Sequence, residues 1–134
     1  FQGGALGSFE ATRFAAGRKN HLTFEINGER GSLEFDLERL NELRFFSNED
    51  RGTERGFRRI YVTEGAHPYV AAWWPPGHIL GYEHTFTHEV LDFLRAVRDG
   101  RGVAPDFRDG VRCQAVLDAV LRSTDTGSWV SPEA

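Results

Sequence analysis

The residues most able to do chemistry lie in one short stretch, Trp73-Trp74-Pro75-Pro76-Gly77-His78. Two adjacent indoles on a proline-stiffened loop lose little entropy on ordering. Their faces suit the C–H faces of a sugar ring, and the imidazole of His78 can donate or accept a hydrogen bond to a hydroxyl. The same residues would serve equally as a packed loop over neighbouring elements. A second grouping, Arg13, Arg18, Lys19 and Asn20, offers positive charge and amide polarity to a phosphate, a carboxylate or sugar hydroxyls. Its plain alternative is a solvated turn. His84 and His88 stand four apart, with Asp92 continuing the line, a spacing that one helix face could offer to a transition metal. The intervening residues do not make a His-Glu-x-x-His motif, and His67 and His78 would have to fold back to complete a ligand set. A hydrated helix face with a His88–Asp92 pair is the simpler reading, and no metal site is expected. Cys113 is the only cysteine, which excludes an internal disulfide and suits a reducing compartment. It is expected as a small residue in or near the core of a helix. Gly3, Gly4 and Gly7 do not sit between a strand and a helix, so they make no dinucleotide loop. There is no Gly-x-Ser-x-Gly elbow and no phosphate-binding P-loop.

The elements that must position these residues fall into two halves. Residues 6–16 alternate in character and are expected as a strand, as are residues 21–26, where Leu22, Phe24 and Ile26 point one way and Thr23 and Glu25 the other. Asn27-Gly28 follows as a hairpin signal, because both residues tolerate positive φ. Residues 31–36, 41–47 and 57–64 continue the meander, with the polar stretch 48–56 as an exposed loop. After the irregular aromatic segment 67–81, residues 83–98 read as an amphipathic helix with Phe86, Val90, Phe93, Leu94 and Val97 on one stripe. Asp99-Gly100 ends it. A second helix runs from Asp106 or Asp109 to about Arg122, and a short extended tail follows at residues 128–130. Strands first and helices last predict an α+β domain, an open and mostly antiparallel sheet with helices packed on one face. The other face, bearing Glu10, Thr12, Glu25 and Glu34, must be solvated or covered by a partner.

At 134 residues the chain is one domain's worth of protein. Sixteen Lys and Arg against 20 Asp and Glu give a formal charge of -4, which argues against nucleic acid or an anionic membrane as a partner. No apolar run approaches the ~20 residues of a membrane helix, and no secretory signal opens the chain. The sequence contains no Met, so Phe1 is not expected to be the start of translation; a piece of a longer polypeptide is the expectation.

Several stretches taken in order carry a family resemblance. They are Gly7-Ser8-Phe9-Glu10-Ala11-Thr12-Arg13, then Phe24-Glu25-Ile26-Asn27-Gly28 with Gly31-Ser32-Leu33-Glu34-Phe35-Asp36, then residues 78–86 leading into Asp92-Phe93-Leu94, and finally Asp109-Gly110 through Trp129-Val130. From about residue 4 to 131 the chain resembles the C-terminal domain of the Gfo/Idh/MocA oxidoreductases, the relatives of glucose-fructose oxidoreductase and inositol dehydrogenase. No single motif is diagnostic; their order is.

That resemblance implies the substrate-side and oligomerisation domain, residues 1–134, of an NAD(P)-dependent sugar or polyol dehydrogenase. The N-terminal Rossmann domain, its glycine loop and its catalytic Lys are absent from this sequence, as is the family's Asp-x-x-x-His-type pair. The resemblance therefore implies no catalytic and no cofactor-binding residue here, NAD or NADP in the intact enzyme, no hydride transfer by this chain alone, and a homo-oligomer formed through the open sheet face. Because the loop before the penultimate helix often touches substrate in this family, His78, Trp73, Trp74 and Tyr82 become candidate substrate contacts, with Arg13 and Lys19 as polar ones. A cytoplasmic enzyme is expected. A stand-alone, non-catalytic binding or assembly module remains the alternative, and a metal enzyme built on His67, His78, His84 and His88 is a third, weaker reading.

Overall fold

The computed structural model describes Phe1 and residues 3–133. Four strands form one antiparallel sheet in sequence order: β1 (Thr23–Gly28), β2 (Gly31–Asp36), β3 (Glu42–Ser47) and β4 (Arg58–Tyr61). Two helices follow, α1 (Tyr82–Asp99) and α2 (Phe107–Thr126). This is the α+β order expected from the sequence, with an open sheet. The chain divides into two compact units, Phe1–Tyr82 and Glu83–Ala134.

Period-2 alternation decides the two faces of the sheet. The register pairs Phe24 with Phe35, Phe35 with Leu43 and Leu43 with Ile60. Together with Ile26, Leu33 and Phe45 these make the oily face. The Phe24 and Phe35 rings lie 5.3 Å apart, a cross-strand aromatic pair. The opposite face carries a polar row one residue out of phase, Glu25–Glu34–Arg44–Arg59. In it one Arg44 guanidinium nitrogen reaches both carboxylate oxygens of Glu34, at 2.7 and 2.9 Å. Arg59 lies 3.7 Å from Glu42 on the same face.

Three expectations are corrected. Residues 6–16 join no ladder and are irregular, with a bend at Arg13 and a turn beginning at Ala16. A strand is held by its neighbour's backbone, and no described segment pairs with this one, so Leu6, Phe9 and Phe14 stand exposed. The hairpin joining β1 and β2 turns at Glu29 and Arg30 rather than at Asn27-Gly28: Gly28 pairs with Gly31, and neither Asn27 nor Gly28 has a positive φ. Asn27 is instead held inside the strand, donating to Glu25 at 2.8 Å and accepting from Ser32. Cys113 is exposed on α2 rather than near a core; the interior-facing small residues of that helix are Ala115 and Ala119.

The helices begin and end as their sequences dictate. Asp106 caps α2 through bonds from the backbone N–H groups of Arg108 and Asp109, and the Asp109 carboxylate accepts the Asp106 N–H in return. Gly127 closes the same helix at φ 62°, and Gly100 follows α1 at φ 61°. The stripe of α1 forms as expected, though Phe86, Val90, Phe93, Leu94 and Val97 each remain more than half exposed. Among the described residues, no helix is long and apolar enough to cross a membrane.

Candidate functional site

The aromatic loop between β4 and α1 is built around two buried residues. Val70 is 2% exposed and opens a short 3-10 turn (Val70–Ala72). Its carbonyl accepts the backbone N–H groups of both Trp73 and Trp74, at 3.0 and 3.3 Å, so the two indoles share one anchor. Their ring centroids are 6.5 Å apart, tilted by 36°. Trp73 is half-buried and Trp74 is 46% exposed. Tyr69, just before Val70, takes φ 68°, the left-handed region that a side chain rarely adopts. The loop neck closes where Gly77 N–H donates to the carbonyl of the buried Thr63, at 3.2 Å. Gly77 itself has φ 87°, open to glycine. His78 then turns back on the loop: its Nδ1 lies 2.9 Å from the Pro75 carbonyl. Asn41, just before β3, fixes the far end by gripping both backbone groups of Leu80. The structure therefore brings Trp73, Trp74 and His78 together on one anchored loop. Tyr82 lies at the first position of α1, half-exposed.

The basic grouping has a different setting. Arg13 and Lys19 line one hollow of about 730 Å³ with Arg18, Asn20 and His21; none of Trp73, Trp74, His78 and Tyr82 borders it. Reading the sequence as a solvated basic turn missed the acids that meet it. Glu38 accepts the Lys19 backbone N–H at 2.9 Å and lies 3.4 Å from Arg18. His21 Nδ1 sits 3.5 Å from Glu38 and 3.7 Å from Asp36. The Lys19 N–H, helped by His21 and Arg18, holds the Glu38 carboxyl below its ordinary range. The ligand atoms of His21, Asp36 and Glu38 are close enough for a metal ion. Arg18 already supplies a cation there, and Asp36 Oδ1 is taken by the Glu38 N–H as a cap. These acids lie in Asp36-Leu37-Glu38 at the end of β2, and only the sheet register brings them to residues 18–21. His84 and His88 join no metal-sized cluster of three ligands among the described residues.

In dinucleotide-binding βαβ units the pyrophosphate meets free N–H groups at a helix start that follows a parallel strand. The described strands are all antiparallel. The start of α2 is occupied by the Asp106 carboxylate, and the first turn of α1 carries Glu83.

Comparison with known proteins places this geometry. A family profile described as "Oxidoreductase family, C-terminal alpha/beta domain" matches residues 1–131. Levoglucosan dehydrogenase of Pseudarthrobacter phenanthrenivorans is 44% identical over 131 residues, which is 97% of this chain and 33% of that protein. Among solved structures, an oxidoreductase domain protein from Kribbella flavida is 53% identical with a TM-score of 0.95, covering 99% of this chain and 36% of its own. A levoglucosan dehydrogenase in complex with NADH and levoglucosan is 43% identical with a TM-score of 0.93, covering 100% and 37%. The chain thus spans about a third of the length of the relatives it matches. Matched along nearly all of its residues, this chain belongs to the Gfo/Idh/MocA oxidoreductase family, as its C-terminal α/β domain.

Proposed function

We propose that this chain is the substrate-side domain of an NAD(P)-dependent sugar or polyol dehydrogenase. The observation that carries this reading is the 43% identity, over the whole chain, to a levoglucosan dehydrogenase whose structure holds NADH and levoglucosan. The anchored loop supports it independently, because adjacent indoles and an imidazole are the groups a sugar ring with hydroxyls would need. Trp73 and Trp74 wall the pocket and His78 bonds a hydroxyl. Tyr82 supplies a further polar contact from the helix start, while Arg13 and Lys19 offer theirs in the separate basic hollow rather than beside the indoles. NAD or NADP, which carries the hydride, is held by residues outside this chain, as is the proton relay. Rate then depends on how closely the two parts hold substrate and cofactor together. This chain's own share is binding, orientation and exclusion of water.

A cytoplasmic homo-oligomer belongs to the same reading, with copies meeting through the open sheet face. The two acids Glu25 and Glu34 beside the two arginines Arg44 and Arg59 give that face polar partners for a second copy.

The test is a steady-state assay of the full gene product with NAD+ or NADP+ and a panel of anhydrosugars, cyclitols and open-chain polyols. Reduction of nucleotide by at least one of them is expected. Binding of a sugar with no nucleotide reduction by any of them would sink the dehydrogenase reading in favour of a non-catalytic module.

A further inference from the structure

The aromatic loop holds two histidines, and the backbone assigns each a different face to show. His67 Nδ1 accepts the N–H of Glu64 at 3.1 Å. A ring nitrogen that accepts carries no proton, so a neutral His67 bears its proton on Nε2. At His78 the partner is reversed: Nδ1 lies 2.9 Å from the Pro75 carbonyl, a group that only accepts. Nδ1 must donate, so a neutral His78 leaves a lone pair on Nε2. His78 is exposed, and its Nε2 makes no hydrogen bond to another described residue. The Gly77–Thr63 bond closes the loop between them, placing His67 four residues beyond Thr63 and His78 next to Gly77.

We propose that His78, locked by Pro75 in the Nδ1–H tautomer, is a specificity-determining acceptor that reads one substrate hydroxyl as a donor through Nε2. This rests on the dehydrogenase reading above and adds the direction of the bond. A hydroxyl satisfies the site. The same carbon bearing a methoxy group or fluorine offers no proton and leaves the Nε2 lone pair unmet. His67, of the opposite tautomer, presents a donor and does not substitute for it.

Two measurements on the full gene product test it. Nitrogen-15 spectra of histidine-labelled protein read each tautomer without substrate. A protonated Nδ1 with a bare Nε2 is expected for His78, and the reverse for His67. A protonated Nε2 on His78 in the neutral ring overturns the proposal even where the enzyme is active. In the second measurement His78→Asn keeps an N–H in the place of Nδ1 and removes Nε2, while His78→Gln restores an acceptor near Nε2. The Asn variant is expected to hold its Tm within about 2 °C. Its KM should rise about 10-fold for the hydroxylated substrate, with kcat little changed and no further loss on the methoxy analogue. The Gln variant should recover most of the KM. An Asn variant with wild-type KM would make His78 a support for the turn at Pro75 and nothing more. If the wild-type protein oxidises no polyol, the dehydrogenase reading falls and the substrate contact falls with it, while the tautomer assignment is still decided by the spectra.

Discussion

Asn41 grips Leu80 from both sides: its Nδ2 donates to the Leu80 carbonyl at 2.7 Å, and its Oδ1 accepts the Leu80 N–H at 2.8 Å. One part-buried amide thereby stands in for a strand partner across 39 positions of sequence. It fixes the end of the aromatic loop against the start of β3. Asn41→Ala removes both bonds and leaves two backbone groups unpaired. A loss of about 1–3 kcal/mol is expected in chemical denaturation. Asn41→Asp keeps the acceptor but sets a carboxylate beside the Leu80 carbonyl, so it should recover only part. Amide exchange at Leu80 checks the mechanism, since it should accelerate most in the Ala variant, which loses the acceptor for that N–H. Unchanged exchange there would mean that the grip holds nothing in solution.

Gly31 and Gly28 face each other at the β1–β2 hairpin, yet they differ in tolerance. A Cβ on Gly31 would collide with the Phe46 carbonyl oxygen of β3, which is backbone and cannot swing aside. A Cβ on Gly28 would meet only the Gly31 carbonyl, at an ordinary 3.6 Å. Gly31→Ala is therefore expected to cost about 1–3 kcal/mol through a forced shift of β3, and Gly28→Ala less than about 1 kcal/mol. Paired denaturation curves decide it. Equal losses would show that the collision is relieved elsewhere.

What the sequence made legible was whatever depends on near neighbours. The alternation of Phe24 and Ile26 set a face, the Phe86–Val97 stripe set α1, and Asp106 set the start of α2. The turn at Glu29 and Arg30 was missed because Asn27 found side-chain partners in Glu25 and Ser32, which a local turn rule does not see. Residues 6–16 alternate like a strand, but a strand also needs a neighbour, and alternation cannot say whether one is present. The candidate loop was found from residue type alone. Its anchors, Val70, Thr63 and Asn41, were not, because carbonyls and a lone amide leave no pattern in a sequence. The acids at Asp36 and Glu38 were invisible for a related reason, since only the register of β1 on β2 brings them to Lys19 and His21.

Asp50 and Glu38, together with Asp99, contribute to the acid limb of stability. Two hydrogen bonds from Arg58, at 2.8 and 2.9 Å, hold the Asp50 carboxyl below its ordinary range, and the Lys19 N–H does the same for Glu38. A carboxyl lowered in the folded state contributes fully above its unfolded value. That contribution is lost as pH falls through the unfolded value towards the folded one. Stability should therefore decline between about pH 5 and pH 3. Asp50→Asn should start lower at neutral pH and decline less steeply across that window. Denaturation midpoints measured along the pH series check this, and parallel slopes for variant and wild type would remove Asp50 from the limb.

Trp74 is the better test of the proposed sugar contact, because it is 46% exposed while Trp73 beside it is less so. A side chain with nearly half its surface in water contributes less to folding than a buried one, so Trp74→Ala should lower Tm by only a few degrees. Stacking on a sugar's C–H face is made in the ground state and the transition state alike, so its loss belongs in KM rather than kcat. In the full gene product KM for the polyol is expected to rise about 10-fold, equivalent to about 1.4 kcal/mol, with kcat within a factor of about two. Trp74→Phe keeps an aromatic face and should return most of that affinity. A fall in kcat at constant KM would assign Trp74 to positioning the loop instead. Equal KM values for Ala, Phe and wild type would take the indole out of the pocket altogether, leaving Trp73 and His78 to carry the contact.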